Sequence, residues 1–187
     1  MRHFDKFPRS SKAVWWALGA AAAGALLAKQ ARVTVPAGIE PVSNFDAARY
    51  MGDWYELARI DHTFEKGLVN TRATYSLNGD GSVRVVNRGF NPDKQTWKES
   101  VGKARFLGDS SVAALKVSFF GPFYGGYNVV HLGKNEATAL VIGQSLNYFW
   151  LLCRERTLPT RHMNHLLNLA AQFGVDVDKV ITVPQGA

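Results

Sequence analysis

Hydrophobic and polar residues alternate in short runs through most of the chain, and turn-forming residues separate the runs about every ten positions. In the last run, Tyr148, Trp150 and Leu152 recur at every second position, so they share one face of a strand. This pattern predicts eight β-strands, near residues 54–61, 70–78, 82–90, 96–107, 112–120, 126–133, 137–143 and 147–154.

Short connections predict how these strands pair. The segment 78–81, Asn-Gly-Asp-Gly, is typical of a tight hairpin because these residues tolerate positive φ. No connection is long enough for a parallel crossover, which takes about a dozen residues or more. We therefore expect an all-β fold with an antiparallel sheet in sequential order. Eight such strands favour closure into an up-and-down barrel, because closure removes both sheet edges.

The interior of an eight-stranded barrel is either filled by side chains or holds one small ligand. Alternation leaves both options open, and the small residues Ala73, Gly102 and Ala104 favour a cavity. Leu77, Val83 and Leu152 are also expected to point inward. The expected ligand-binding wall consists of Glu56, Ala73, Tyr75, Val85, Asn87, Ala104, Phe106, Leu115, Val117, Phe119, Tyr127, Tyr148 and Trp150.

Two polar residues in this wall have two interpretations each. Glu56 follows Trp54 by two positions and is expected on the same inward face. A buried carboxylate needs a partner or a proton, so Glu56 is either a hydrogen-bonded brace or a contact for the polar end of a ligand. The same two interpretations apply to Asn87.

Three residues are expected to close one end of the barrel. Gly52 allows a tight turn, Trp54 fills the end with one large ring, and Arg154 at the last strand lies across that ring as a cation–π partner. A barrel closed at one end is a cup, which indicates binding more than catalysis.

The opposite, open end should carry the loops 61–69, 91–96, 120–126 and 143–147. Phe64, Phe123 and Tyr124 lie in these loops. They form either an apolar rim that contacts membrane or lipid, or a cover that folds back over the mouth.

A helix is predicted over residues 159–173, because apolar residues recur there at i, i+3, i+4, i+7 and i+8. We expect this helix to pack on the outside of the barrel. Val180, Ile181 and Val183 could add a short final strand.

The N-terminus has the layout of a targeting segment, with a basic start and an apolar run of 16 residues at 13–28. A helix of that length spans about 24 Å, less than the roughly 30 Å hydrocarbon core of a bilayer. Residues 1–31 are therefore expected to form an apolar helix that is either a signal peptide or a membrane anchor. We expect a linker over 32–43, a barrel domain over 44–185, and export of the barrel.

Charge and cysteine content exclude several classes of protein. The net charge is +7, but residues 1–31 carry +4 of it, which gives little support for nucleic-acid binding. Cys153 is the one cysteine, so an internal disulfide and a multi-cysteine zinc site are excluded. Cys153 should face outward as a small buried hydrophobe. The histidines show no metal spacing, and we expect no metal or cofactor.

The ordered motifs resemble those of the lipocalin family, and in particular the bacterial lipocalins of the outer-membrane lipoprotein group. The chain is also similar to apolipoprotein D and the plant temperature-induced lipocalins. The resemblance covers about residues 44–185. It is carried by Tyr50-x-Gly52-x-Trp54-Tyr55-Glu56, by residues 72–77 (RATYSL), by residues 114–129 (ALKVSFFGPFYGGYNV) and by Tyr148-x-Trp150-Leu151-Leu152-x-Arg154.

The resemblance implies an eight-stranded barrel with a C-terminal helix, and a non-enzymatic role in holding a fatty acid, lysophospholipid or similar lipid. Two alternatives remain open: a lipid-modifying enzyme on the same barrel, and a scaffold with a filled barrel. A nucleophile elbow of the form Gly-x-Ser-x-Gly is absent from the sequence, which disfavours a hydrolase.

The resemblance also bears on attachment and assembly. The bacterial relatives often carry an acylated cysteine after the apolar run, whereas here Lys29 follows and no cysteine is near. A soluble periplasmic protein or a membrane-anchored one is therefore expected. A homodimer remains an option, because related barrels dimerise and the outer face carries Val86, Val130 and Leu151.

Overall fold

The computed structural model describes residues 33–186. The expected targeting helix over residues 1–31 lies outside this range. Among the helices of residues 33–186, none has the length and apolar character needed to cross a membrane. The strands are β1 (Gly52–Ile60), β2 (Val69–Leu77), β3 (Val83–Asn91), β4 (Thr96–Phe106), β5 (Ala114–Phe120), β6 (Phe123–Leu132), β7 (Thr138–Ile142), β8 (Phe149–Cys153) and β9 (Val180–Thr182), and the helices are α1 (Ala47–Tyr50) and α2 (Thr160–Gln172).

Strands β1 to β8 form the predicted antiparallel up-and-down barrel. Each strand pairs with the next in sequence, and β1 pairs with both β2 and β8, which closes the barrel. The predicted strands and the predicted helix are confirmed, with shifts of a few residues at their ends. The largest shift is in β6, which begins at Phe123 instead of residue 126. Phe123 and Tyr124 are therefore strand residues rather than loop residues.

The seam between β1 and β2 is closed in two ways. Near the closed end, Gly52–Tyr55 pair directly with β2. Further along, β9 pairs with residues 58–60 of β1. The segment after β9 bridges to β2, because the Asn70 N–H donates to the Pro184 carbonyl (2.8 Å) and the Gln185 amide donates to the carbonyls of Glu56 and Thr71. Residues 180–186 therefore fill the seam where β1 and β2 separate.

Helix α2 packs on the outer face of the barrel, as predicted. Its buried residues Leu166 and Ala170 join an apolar cluster with outward-facing strand residues such as Leu140, Val130 and Leu151. Two of the three residues considered for a dimer surface, Val130 and Leu151, are thus covered by the chain's own structure. Only Val86 of that set remains partly exposed.

The second half of the segment expected as a linker is packed against the barrel. Ile39 is buried beside the outer cluster. The Val42 N–H donates to the Val129 carbonyl (2.8 Å), and its own carbonyl accepts from the Ala113 N–H (2.9 Å). The chain then enters the short helix α1, which the Asp46 carboxylate caps by accepting from the backbone N–H groups of residues 48 and 49. Helix α1 therefore ends at Tyr50, just before the start of β1.

Candidate functional site

A cavity of about 520 Å³ lies inside the barrel. This volume falls within the range of about 300–1,000 Å³ that is usual for small-molecule sites. The cavity is lined by all thirteen residues expected in the wall: Glu56, Ala73, Tyr75, Val85, Asn87, Ala104, Phe106, Leu115, Val117, Phe119, Tyr127, Tyr148 and Trp150. Apolar and aromatic side chains dominate, so the cavity can remove an acyl chain from water.

Two inward-facing predictions need correction. The space above Gly102 is not free for a ligand, because a Cβ there would lie 2.8 Å from both the Phe119 ring and the Ser118 carbonyl oxygen. Gly102 is small so that the Phe119 ring can lie against the strand. Leu77 does not point into the barrel interior: it is 45% exposed at the end of β2. The strand continues to Leu77 beyond the cluster that fills the floor.

The floor of the barrel contains Trp54, which is fully buried. The guanidinium carbon of Arg154 lies 3.8 Å from the centre of the Trp54 ring. Arg154 also donates to the carbonyls of Asp53 (2.9 Å), Arg49 (2.9 Å) and Tyr50 (3.1 Å). Gly52 has φ +92°, a conformation that favours glycine. A Cβ added at Gly52 would lie 3.5 Å from Nη1 of Arg154. These contacts join the start of β1 to the end of β8.

Three tyrosine hydroxyls meet above this floor. The Tyr127 hydroxyl lies 2.8 Å from that of Tyr50 and 3.0 Å from that of Tyr75. All three residues line the cavity. Burial raises the pKa of each phenol, so the three stay protonated and can act as hydrogen-bond donors. Tyr75 and Tyr127 were expected in the cavity wall, whereas Tyr50 precedes the first strand and was not predicted.

A second polar group contains two carboxyls. The Glu56 carboxylate accepts from Arg59 Nη1 at 2.7 Å. Arg59 is therefore the partner that the interpretation of Glu56 as a hydrogen-bonded brace requires. Glu65, from the loop between β1 and β2, accepts from Trp150 Nε1 at 3.1 Å. Burial and the neighbouring Glu56 carboxyl raise the pKa of Glu65 to about 8. Burial also raises the pKa of Glu56, against the opposing charge of Arg59.

Arg59 is fully buried, and its guanidinium is occupied by this network. It donates to the carboxylates of Glu56 and Asp61 and to the carbonyls of Glu65 and Leu68. A register shift between Glu56 and Ala58 interrupts the alternation of β1, so counting from Trp54 does not predict the burial of Arg59. Glu65 was missed because it belongs to a loop, for which alternation predicts nothing.

The mouth carries exposed aromatic side chains. Phe123 is 74% exposed, Phe64 is 61% exposed and Tyr124 is 39% exposed. Phe120, which was not among the predicted rim residues, is 77% exposed. All four line the entrance of the cavity, together with the more distant Asn87, which is also exposed. These exposed side chains form an apolar rim around the cavity entrance.

Other features of residues 33–186 offer little for chemistry. No group of three His, Cys, Asp or Glu side chains in this range could hold a metal ion. Cys153 is buried in the outer cluster under α2, and burial raises the pKa of its thiol. A smaller hollow of about 290 Å³ lies on the outer wall, and its lining is mostly polar and cationic: Tyr55, Asn70, Arg72, Arg88, Trp97, Arg156 and Gln185.

Comparison with known proteins agrees with the barrel and its motifs. The family model for a lipocalin-like domain matches residues 45–185. "Outer membrane lipoprotein Blc" of Citrobacter freundii is 51% identical over 152 residues, covering 81% of this chain and 86% of its own. The protein of the same name from Escherichia coli strain K12 is 49% identical over 168 residues, covering 90% and 95%.

Solved structures show the same fold at low identity. The cockroach allergen Per a 4 superposes with a TM-score of 0.64 at 17% identity, covering 83% of this chain and 97% of that one. The family model matches residues 45–185, and this range contains the barrel strands and the residues of the closed floor. The chain belongs to the lipocalin family.

Proposed function

We propose that this protein binds a small amphipathic lipid, a fatty acid or a lysophospholipid, inside the barrel and carries or stores it at the cell envelope. The observation that carries the proposal is the apolar cavity of about 520 Å³, closed at one end by Trp54 and Arg154. The proposal is for reversible binding, without a chemical step.

The cavity wall supplies the binding free energy. Burying a methylene gains about 0.8 kcal/mol, so a sixteen-carbon chain gains roughly 10 kcal/mol before ordering costs are subtracted. Residues such as Val85, Leu115 and Val117 would contact that chain. The wall therefore supports micromolar binding or tighter, because about 8 kcal/mol corresponds to that affinity.

The N-terminal sequence and the relatives support a location at the cell envelope. Both relatives described above carry names that place them in the outer membrane as lipoproteins. In this chain the apolar run is followed by Lys29, and Cys153 is the one cysteine. We therefore propose an exported protein, either soluble in the periplasm or held at a membrane by residues 1–31.

The aromatic mouth supports loading from a membrane. Phe64, Phe120 and Phe123 are more than half exposed and border the cavity entrance. Apolar rings at the mouth would insert among lipids and shorten the path of a lipid into the cavity. The rim is thus proposed as the membrane-contacting surface.

Organic extraction followed by mass spectrometry of the purified full-length protein tests the function. We expect a co-purified fatty acid or lysophospholipid, and native mass spectrometry should show one lipid bound per chain. The Val117→Trp variant, which fills the cavity, should lose the lipid. The matched Val101→Trp variant places the same ring on the outer face, where Val101 is 49% exposed, and should keep it.

An empty protein that also binds no fatty acid or lysophospholipid from a labelled panel would contradict the proposal. Equal lipid content in both tryptophan variants would also contradict it, because binding would then lie outside the barrel.

A further inference from the structure

Three tyrosines from separate elements place their hydroxyls together deep in the cavity. Tyr50 is the last residue of α1, Tyr75 lies on β2 and Tyr127 lies on β6. Tyr127 is central, with its oxygen 2.8 Å from that of Tyr50 and 3.0 Å from that of Tyr75. We call these three residues the tyrosine cluster.

The tyrosine cluster has more donors than it uses. Three phenols carry three hydroxyl hydrogens, and two oxygen–oxygen contacts consume two of them. Within residues 33–186 these two contacts are the hydrogen bonds that the three hydroxyls make. One O–H is therefore left without a protein acceptor, and a buried donor without an acceptor costs roughly 1–3 kcal/mol. A ligand oxygen at this depth would remove that cost.

A positive charge lies beside the backbone of one member of the tyrosine cluster. Arg154 donates to the Tyr50 carbonyl at 3.1 Å on the floor side. An acceptor oxygen above the hydroxyls would thus meet donors and a nearby cation. An anionic or partly charged oxygen is favoured there over a neutral hydrocarbon end.

The upper part of the cavity has the opposite character. Glu56 and Glu65 contribute carboxyls there, and Arg59 is already engaged by Glu56, by Asp61 and by backbone carbonyls. The mouth itself is rimmed by exposed phenylalanines such as Phe120 and Phe123. Arg72, Arg88 and Lys98 also line the cavity. Arg72 already pairs with Asp53, and Arg88 and Lys98 are exposed, so their pairing with a ligand carboxylate would be weak.

We propose that the tyrosine cluster is a subsite for the carboxyl group of a single-chain fatty acid, which binds with its polar end at the closed end of the barrel and its methyl end at the mouth. This inference rests on the proposed function, and it selects fatty acids within it. A lysophospholipid has a bulky head group that must stay at the mouth, so it would leave the tyrosine cluster unoccupied.

Photocrosslinking tests the orientation in the full-length protein. The probe is hexadecanoic acid with a diazirine at its methyl end, and mass spectrometry locates the crosslink. We expect crosslinks to the mouth, at Phe64 and residues 120–124. Crosslinks near the floor, at Tyr75, Val83 or Ala104, would overturn the subsite and leave lipid binding itself standing.

Affinity measurements provide a second test. Tyr127→Phe removes the central hydroxyl, whose two hydrogen bonds hold the Tyr50 and Tyr75 hydroxyls together, and should weaken palmitic acid binding about fivefold to tenfold. Binding of palmitoyl-lysophosphatidylcholine should not change, which separates the effect from a folding defect. Tyr55→Phe on the outer face is the matched control. Tyr75→Phe replaces Tyr127→Phe if the latter does not fold.

The outcomes distinguish the two proposals. If the wild-type protein binds neither probe, the proposed function fails and the subsite fails with it. If both probes bind and Tyr127→Phe weakens neither, or weakens both equally, the subsite is overturned while the proposed function stands.

Discussion

Arg154 connects the two ends of the barrel sequence by stacking on Trp54, with 3.8 Å between the guanidinium carbon and the ring centre. The same guanidinium donates to three backbone carbonyls around the start of β1. One side chain therefore closes the floor and fixes the entry of the chain into the barrel.

Replacing Arg154 with lysine should destabilise the fold although the charge is kept. A lysine cannot span three carbonyls with a planar fork, so at least one charged hydrogen bond is lost, at about 1.5–3 kcal/mol. Urea unfolding measures the loss. Arg161→Lys on the exposed face of α2 should change the free energy of unfolding by less than about 0.5 kcal/mol. Equal effects of the two variants would contradict the role of Arg154.

Glu65 predicts a pH dependence of stability. Its folded pKa of about 8 lies above the ordinary value of 4.5, so the folded protein keeps a proton that the unfolded chain releases between these pH values. Stability should therefore fall as the pH rises through this window. The Glu65→Gln variant, whose amide still accepts from Trp150, should show a shallower fall in melting temperature from pH 5 to pH 8.

The matched control for this prediction is Glu99→Gln, because Glu99 is exposed on β4. It should follow the wild-type pH profile. A Glu65→Gln profile that is as steep as the wild-type one would show that Glu65 ionises normally in the folded protein. Some slope should remain in Glu65→Gln, because burial also raises the pKa of Glu56.

Gly102 should not tolerate alanine. The new Cβ would lie 2.8 Å from the Phe119 ring and from the Ser118 carbonyl oxygen, and the carbonyl belongs to a paired strand that cannot easily move. Overpacking of this kind costs about 1–3 kcal/mol. Thermal unfolding should show the loss for Gly102→Ala but not for Gly108→Ala, where no atom beyond the neighbouring residues in the chain lies within 4 Å of the added methyl group.

The aromatic rim should control the rate of lipid transfer. Replacing Phe120 and Phe123 with serine removes two side chains that are 77% and 74% exposed, and should slow the transfer of labelled fatty acid from vesicles. Equilibrium affinity should change less than the rate, because the cavity wall is intact. A Val101→Ser variant, with its change on the outer wall, should transfer at the wild-type rate. An unchanged rate in the double serine variant would remove the rim from the proposal.

The walls of the cavity could be predicted from sequence because alternation is a geometric property of a strand. Val85 and Val117 lie on regularly paired stretches, and their inward direction follows from counting. Counting does not hold where the register shifts, so the burial of Arg59 could not be predicted in this way. Counting also cannot place residues outside strands, which is why Tyr50 and Glu65 were missed.

The sequence argument for a cavity was wrong at one residue, Gly102. Gly102 was taken as room for a ligand, but the Phe119 ring from the adjacent strand occupies it. Small residues indicate close approach, and a sequence does not show whether a ligand or a neighbouring side chain makes that approach. The cavity depends on how all the wall residues pack together. The residue type at any single position therefore does not predict it.

The segment 180–186 lies in the seam between β1 and β2, and it follows all eight barrel strands and helix α2 in the chain. During synthesis the eight strands are therefore made before the piece that joins the first to the second along its upper half. The barrel wall is therefore complete only after that late segment has docked between β1 and β2. The proposed binding of a lipid inside the barrel thus requires a chain that has been made through to this last segment.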